Sequence, residues 1–201
     1  MSKDLKKSPK ILGLDVSTTT IGWALFDLDS RELLELTHIS PVIKPKEPSH
    51  IKELFLKSEI FLDKITQYRD MNITTVVIEE PLLNSNNVYT VQTLMRYNTL
   101  ISKQVYDVLG VVPDYISTYE SRKNAFPQLV QPNKSGKYVL FGDQPKDCDK
   151  KQIIWDLVAK REPQIVWAYT KNNTLKKECF DMSDAYACAL AWVQKNGIWV
   201  D

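Results

Sequence analysis

The sequence predicts an α/β layered domain built on a mixed sheet. Three observations carry that expectation. Segments 11–16, 21–28 and 32–39 are apolar or alternating and are separated only by turn residues, the pattern of an antiparallel meander. After them, a β-branched run alternates with long helical patterns, as in a sheet covered by helices. Acidic residues also stand at the ends of buried runs, where an unpartnered carboxylate is unfavourable.

Residues 11–16 read as a buried strand ending near Asp15. A hydroxylic turn, Ser17 to Thr20, leads into the second strand, and Asp29-Ser30 turns the chain into the third. Pro41 to Pro48 forms a proline-rich loop. Ser49 suits the N-cap of a helix over about 50–70, in which Ile51, Leu54, Phe55, Ser58, Leu62 and Ile65 recur at helical spacing. Ile73 to Ile78 is a β-branched strand, closed by Glu79-Glu80-Pro81 because proline cannot continue an interior strand. The spacing of Val91, Leu94, Met95, Leu100, Ile101, Val105 and Leu109 predicts a helix over 88–109, with Gly110 as its C-terminal cap. A fifth strand follows over 111–118, then a short helix over 119–125. Residues 127–149 are polar and rich in proline, an insert with a small hairpin around 137–141. A helix over 150–161 and a last helix over 182–194 complete the chain, and 162–179 shows no clear pattern.

At 201 residues the chain suits one domain: a basic N-terminal arm over 1–9, then a single unit over 10–197. Lysine and arginine total 26 against 25 acids, a balance that neither implies nor excludes nucleic acid. Cys148, Cys179 and Cys188 lack metal-binding spacing, which fits a reducing, cytoplasmic setting. No stretch is long and apolar enough for a membrane span, and the N-terminus has no signal-peptide core.

Four acids stand out by position. Asp15 ends the first strand, Glu79 ends the fourth, and Asp181 and Asp184 open the last helix one turn apart on one face. Each has an ordinary reading of its own. Asp181 suits a helix cap, Glu79 or Glu80 a solvated strand end. Together they read as a metal site, since like charges so placed become useful when a cation lies between them. Alternation sends Glu79 and Glu80 to opposite faces, so only one of them can join the others. His38 and His50 fall away from these motifs and read as structural or surface residues.

Three motifs occur in order: Gly13-Leu-Asp15-Val-Ser-Thr-Thr-Thr-Ile-Gly22-Trp, then Val77-Ile-Glu79-Glu-Pro, then Asp181-Met-Ser-Asp184-Ala-Tyr-Ala-Cys-Ala. Together they resemble the RuvC family of Holliday-junction resolvases. Ser17 and Thr18 fill the place where that family usually carries a glycine, a departure that concerns the loop and not the acid. The resemblance implies an RNase H-like fold, a five-stranded mixed sheet flanked by helices, with the insert at about 127–149. It implies that Asp15, Glu79, Asp181 and Asp184 hold two Mg²⁺ ions, for which Mn²⁺ would substitute, and that no small-molecule cofactor is needed. Glu79 is chosen over Glu80 because the family's glutamate directly follows the strand's last apolar residue.

The same resemblance implies a homodimer acting on branched DNA, above all four-way junctions, with helix 88–109 near the two-fold. Arg122, Lys123, Lys150 and Lys151 become candidates for contacts with the phosphate backbone, and the motif leaves open which of Lys150 and Lys151 meets the cut phosphate. Leu82 and Tyr89 become candidate wedges against unpaired bases. The departures suggest a divergent member, of viral origin and acting in a host cytoplasm. Two other readings stand beside this one. A general RNase H-like nuclease on flaps or RNA–DNA hybrids would share the carboxylates. A nucleotide-binding protein of the sugar kinase and actin type would share the first motif, but no second glycine-rich phosphate loop occurs here.

Overall fold

Away from two register shifts, each strand of the central sheet alternates its side chains between two faces, and that sorting places the site. The computed structural model describes residues 7–81 and 87–199. Strands β1 (Lys10–Val16), β2 (Ile21–Asp27) and β3 (Leu33–Ile39) form the expected antiparallel meander. β4 (Ile73–Glu79) and β5 (Asp114–Ile116) then add in parallel beside β1, giving the order β3-β2-β1-β4-β5. Helix α1 (His50–Thr66) lies between β3 and β4, and α2 (Val88–Leu109) between β4 and β5. After β5 come α3 (Thr118–Ala125), a 3₁₀ turn at Pro127–Leu129, a hairpin of β6 (Val130–Pro132) and β7 (Tyr138–Leu140), α4 (Lys150–Arg161) and α5 (Glu178–Lys195).

On one face, Leu12, Leu14 and Val16 of β1, Trp23 and Leu25 of β2, and Val76 and Ile78 of β4 meet α1 and α2. Trp23 is fully buried there, stacked between Phe61 and Tyr68 with ring centroids 6.1 and 4.8 Å away. On the other face, Ile11, Ala24, Phe26 and Val77 meet α5 and its neighbours. A strand's period of two therefore assigns odd positions of β1 from Ile11 and of β4 past the register shift to the α5 face and even positions to the other.

The caps form as expected. The Ser49 hydroxyl accepts from the Lys52 amide, and Gly110 closes α2 with φ 70°, where glycine carries no Cβ penalty. Other details differ from the sequence reading. α1 ends at Thr66, and its core stripe is Leu54, Ser58, Phe61 and Ile65. Ile51 and Phe55 belong to no core stripe and are exposed, as is Met95 of α2. β5 holds three residues, since Val111 to Pro113 only lead into it. The hairpin in the insert is present but starts earlier, at Val130.

α5 begins at Glu178 rather than Met182. Lys177 precedes it without a side-chain cap, so the sequence carried no start signal there. Asp181 consequently lies in the first turn, and Asp184 in the second. The unpatterned stretch before it makes a bridged turn, Tyr169 opposite Leu175, with Trp167 edge-on to Trp155 at 5.6 Å. Lys7 is tied down on both sides: its ammonium donates to the Asp70 carbonyl at 2.7 Å, and its carbonyl accepts from Asn72 at 2.6 Å. No helix among the described residues is long and apolar enough to cross a membrane.

Candidate metal and phosphate site

Asp15 and Glu79 come together because β1 and β4 are parallel neighbours in register. Leu14 pairs with Ile78, so the next residue on each strand is an acid at the same end of the sheet. Both lie at odd positions, on the α5 face. Glu80, just past the end of β4, is exposed and is not among the acids brought together.

Two glycines bring α5 close enough to complete the cluster. A Cβ built on Gly22 would lie 2.0 Å from the Asp181 carbonyl oxygen, and one built on Gly13 would lie 2.2 Å from that of Ala185. Any side chain at either place would lift the helix. Gly22 is also the cross-strand partner of Asp15. The small residues of α5, Ala185, Cys188 and Ala189 among them, are fully buried against the same face and let the backbones approach. Asp184 thereby reaches Asp15 and Glu79, and one carboxylate oxygen from each of the three lies within 4.8 Å of the others. Asp184 is buried, and Asp15 and Glu79 are half-buried.

Two cations face these acids. Arg122 of α3 donates from Nη2 to Asp184 Oδ1 at 3.2 Å. Lys151 of α4 lies 3.5 Å from Asp181 and 3.4 Å from Asp184. Asp181 stands outside the set of three and joins the site by sharing Lys151 with Asp184. Lys150 points elsewhere, its ammonium 5.8 Å from the Phe141 ring centroid, and Lys123 lies 5.9 Å from that of Tyr119. Of the four basic candidates, the structure brings Arg122 and Lys151 to the acids.

Withdrawal from water pushes the Asp15 carboxyl well above its usual range, and Glu79, Asp184 and Asp181 add to this. Glu79 is raised to about 7, first by burial and then by Asp184, against the opposing hydrogen bond from Thr118 and the charges of Arg122 and Lys151. Asp181 is also raised, chiefly by burial. For Lys151 burial acts downward, but the pull of Asp184, Asp15 and Asp181 outweighs it and holds the ammonium above the ordinary lysine value. The acids thus crowd one another more than two cations can relieve. A cluster of hard oxygen donors with that deficit is compatible with a divalent metal site.

The remaining sequence candidates separate. The Ser17 hydroxyl bonds to its own turn, donating to the Thr20 carbonyl at 2.8 Å and accepting from the Thr20 amide at 3.0 Å. It braces the turn after Asp15. Tyr89 is 58% exposed, its ring 5.2 Å from that of His50, and His50 bonds Thr93 at 3.0 Å in a structural role. Leu82 lies outside the described residues. Thr118 and the fully buried Cys188, whose thiol is 3.7 Å from the Ser121 hydroxyl, border the acids, and neither is among the sequence candidates although Cys188 lies within the third motif. The signal that could have found them is their place, Thr118 opening the helix after β5 and Cys188 one turn beyond Asp184 in the third motif.

With this geometry in place, comparison with solved structures is informative. RuvC from Thermus thermophilus in complex with Holliday junction substrate superposes with a TM-score of 0.60 at 12% identity, covering 94% of this chain and 96% of that one. A further Thermus thermophilus RuvC structure gives 0.56 at 15% identity over 94% and 97%. The fold is that of RuvC. It is an RNase H-like fold, a mixed five-stranded sheet with flanking helices matched nearly end to end. No family model matches the sequence, and no curated protein matches it either. The RuvC resemblance carried by the three motifs is thus matched in backbone arrangement, although overall identity is only 12% and 15%.

Proposed function

We propose that this protein is a Mg²⁺-dependent, structure-selective endonuclease that cuts four-way and other branched DNA as a homodimer. The observation that carries this is the meeting of Asp15, Glu79 and Asp184 within 4.8 Å at one end of a RuvC-like sheet. Asp15, Glu79, Asp184 and Asp181 are the residues that would hold the metal ions. When bound, two such ions neutralise charge on both sides of an in-line displacement at phosphorus. The chain's own cations complete the arrangement. Arg122 fixes Asp184 in place, and Lys151, above the acids at the N-terminus of α4, is placed to meet a phosphate. The choice of branched DNA rests on RuvC, which has been solved on a Holliday junction substrate.

The test offers a four-way junction, a flap, a splayed duplex and an RNA–DNA hybrid, each with Mg²⁺ or with chelator. The expected result is paired, symmetric nicking of the junction that needs Mg²⁺. Asp15→Asn, Glu79→Gln and Asp184→Asn should each lower cleavage by at least ~100-fold while junction binding survives. Glu80→Gln, at an exposed side chain, should be nearly silent. Full cleavage by Asp15→Asn would sink the site, and preference for the hybrid would redirect the reading to a general RNase H-like nuclease.

A further inference from the structure

The insert over 127–149 folds into a cleft that reaches α4 at Lys150, one residue before Lys151. The β6–β7 hairpin and the return segment 141–148 enclose about 960 Å³, lined by Lys134, Lys146, Lys150 and Phe141 among others. Its floor is fixed. Phe141 and Leu129 are buried in the core, the Phe141 amide donates to the Leu129 carbonyl at 2.7 Å, and a Cβ on Gly142 would lie 1.9 Å from the Gln131 carbonyl oxygen. The cleft is therefore shaped before anything binds, which keeps the ordering penalty small.

Its lining carries Lys134, Lys146 and Lys150 against one acid, Asp143, while Asp147 is exposed beside Lys146 and outside the lining. Lys134, Lys146 and Lys150, with Lys137 on the hairpin, make no ion pair with any carboxylate among the described residues. The one lining carboxylate, Asp143, accepts from its neighbour Gln144 at 3.1 Å. Nearby Asp149 is committed to capping α4, accepting from the Lys151 and Gln152 amides. Position gives this charge a direction. Lys150 lines the cleft, and the next residue, Lys151, reaches Asp181 and Asp184. A chain of phosphates leaving the acids past Lys151 would meet Lys150 and then the mouth of the cleft.

We propose that this cleft holds the phosphate backbone of the duplex arm next to the cut, through Lys134 and Lys146 in its lining and Lys137 on the adjoining hairpin turn. The inference rests on the nuclease reading and adds to it a second contact outside the catalytic end of the sheet. A polyanion answers several unpaired lysines along one wall, and each lysine that neutralises a phosphate releases counterions.

The experiment compares the 201-residue chain with a Lys134→Ala/Lys137→Ala/Lys146→Ala variant on a long-armed four-way junction. Binding is read with chelator across a salt series, and cleavage with Mg²⁺. The variant should bind about tenfold more weakly at moderate salt, with the salt slope reduced by about 0.9 for each lysine that meets a phosphate. KM should rise while kcat changes little, and trimming the arms should erase the difference between the two proteins. A charge-reversing Lys146→Glu variant should weaken binding in the same arm-dependent way. Equal affinity and equal salt slope for wild type and variant would overturn the arm contact and leave the nuclease reading intact. Arm-dependent binding through these lysines without Mg²⁺-dependent cleavage would do the reverse. Wild-type protein that binds no branched DNA would remove both.

Discussion

At the scale of residues, the site is a balance between too many carboxylates and two cations, and its pH behaviour follows from that. Glu79 has an ordinary value of 4.5 and is raised to about 7 in the fold, with Asp15 shifted in the same direction. Between those two pH values the folded chain holds protons that the unfolded chain has released. Stability without metal therefore falls as pH rises through that window. Asp27 acts the other way and elsewhere. The Ser30 amide and Ser8 hydroxyl hold it near 2, so its contribution is present above 3.8 and is lost only in stronger acid. Thermal unfolding with chelator should show Tm dropping from about pH 5 to about pH 8, and Mg²⁺ should restore it most at the upper end, where the carboxylates are ready to bind. A metal-free Tm that climbs across this window would contradict the crowding of Asp15 and Glu79. Arg122 gives the matching substitution. Its buried guanidinium offsets Asp184 and competes with any metal for it, so Arg122→Met should cost about 3 kcal/mol without metal. The same variant should show a larger Mg²⁺-induced rise in Tm than wild type.

At the scale of elements, the docking of α5 on the sheet builds the site, and it turns on Gly13 and Gly22. Both stand in the first motif, yet their reason becomes visible only where the helix backbone crosses them. Gly22→Ala would press a methyl to 2.0 Å from the Asp181 carbonyl oxygen, which only a shift of α5 or β2 can relieve. Overpacking of this kind costs about 3 kcal/mol or more. Denaturant unfolding should show that loss, and metal affinity should fall with it because Asp181 and Asp184 ride on the displaced helix. Normal stability with normal metal binding in Gly22→Ala would mean that the close approach is not what sets the site. These elements also show what a sequence can reveal. Strand alternation in 73–79 showed that only one of Glu79 and Glu80 can join the other acids, and the family resemblance was needed to choose Glu79. The choice between Lys150 and Lys151 stayed open, because the insert at 127–149 is longer than is usual in the resembling family and blurs the match at the start of α4. The buried stripe is Ile154 and Val158, and Lys151 shares its face at i, i+3 spacing. The start of α5 was illegible for a different reason: nothing at Lys177 caps it, and packing on the sheet extends it.

At the scale of the whole molecule, the two faces of the sheet have different occupants and different consequences. The α5 face is closed by α3 and α4 and carries the acids. The helices of the other face, α1 and α2, leave apolar side chains in solvent near their adjoining N-termini, where His50 meets Tyr89 and Thr93. Ile51, Phe55, Val88, Tyr89 and Met95 are 43%, 50%, 68%, 58% and 50% exposed. Single exposed apolar residues are ordinary, but this many at one end of two packed helices fit a self-complementary interface. A two-fold through α1 and α2 would leave both sets of acids free, one for each of two symmetric strands. The protein should therefore sediment as a dimer, and Phe55→Glu/Met95→Glu should shift it to monomer without disturbing helix content, because neither side chain supports the core. The monomer should retain its Mg²⁺-dependent thermal shift, since Asp15, Glu79, Asp181 and Asp184 all come from one chain. Paired incision of a four-way junction should give way to single, uncoordinated nicks. A monomeric wild type, or a charge-substituted double variant that still dimerises and cuts both strands together, would place the two-fold elsewhere or remove it. In either case the single-chain acid cluster would stand, because its assembly depends on β1, β4 and α5 and on nothing contributed by a partner.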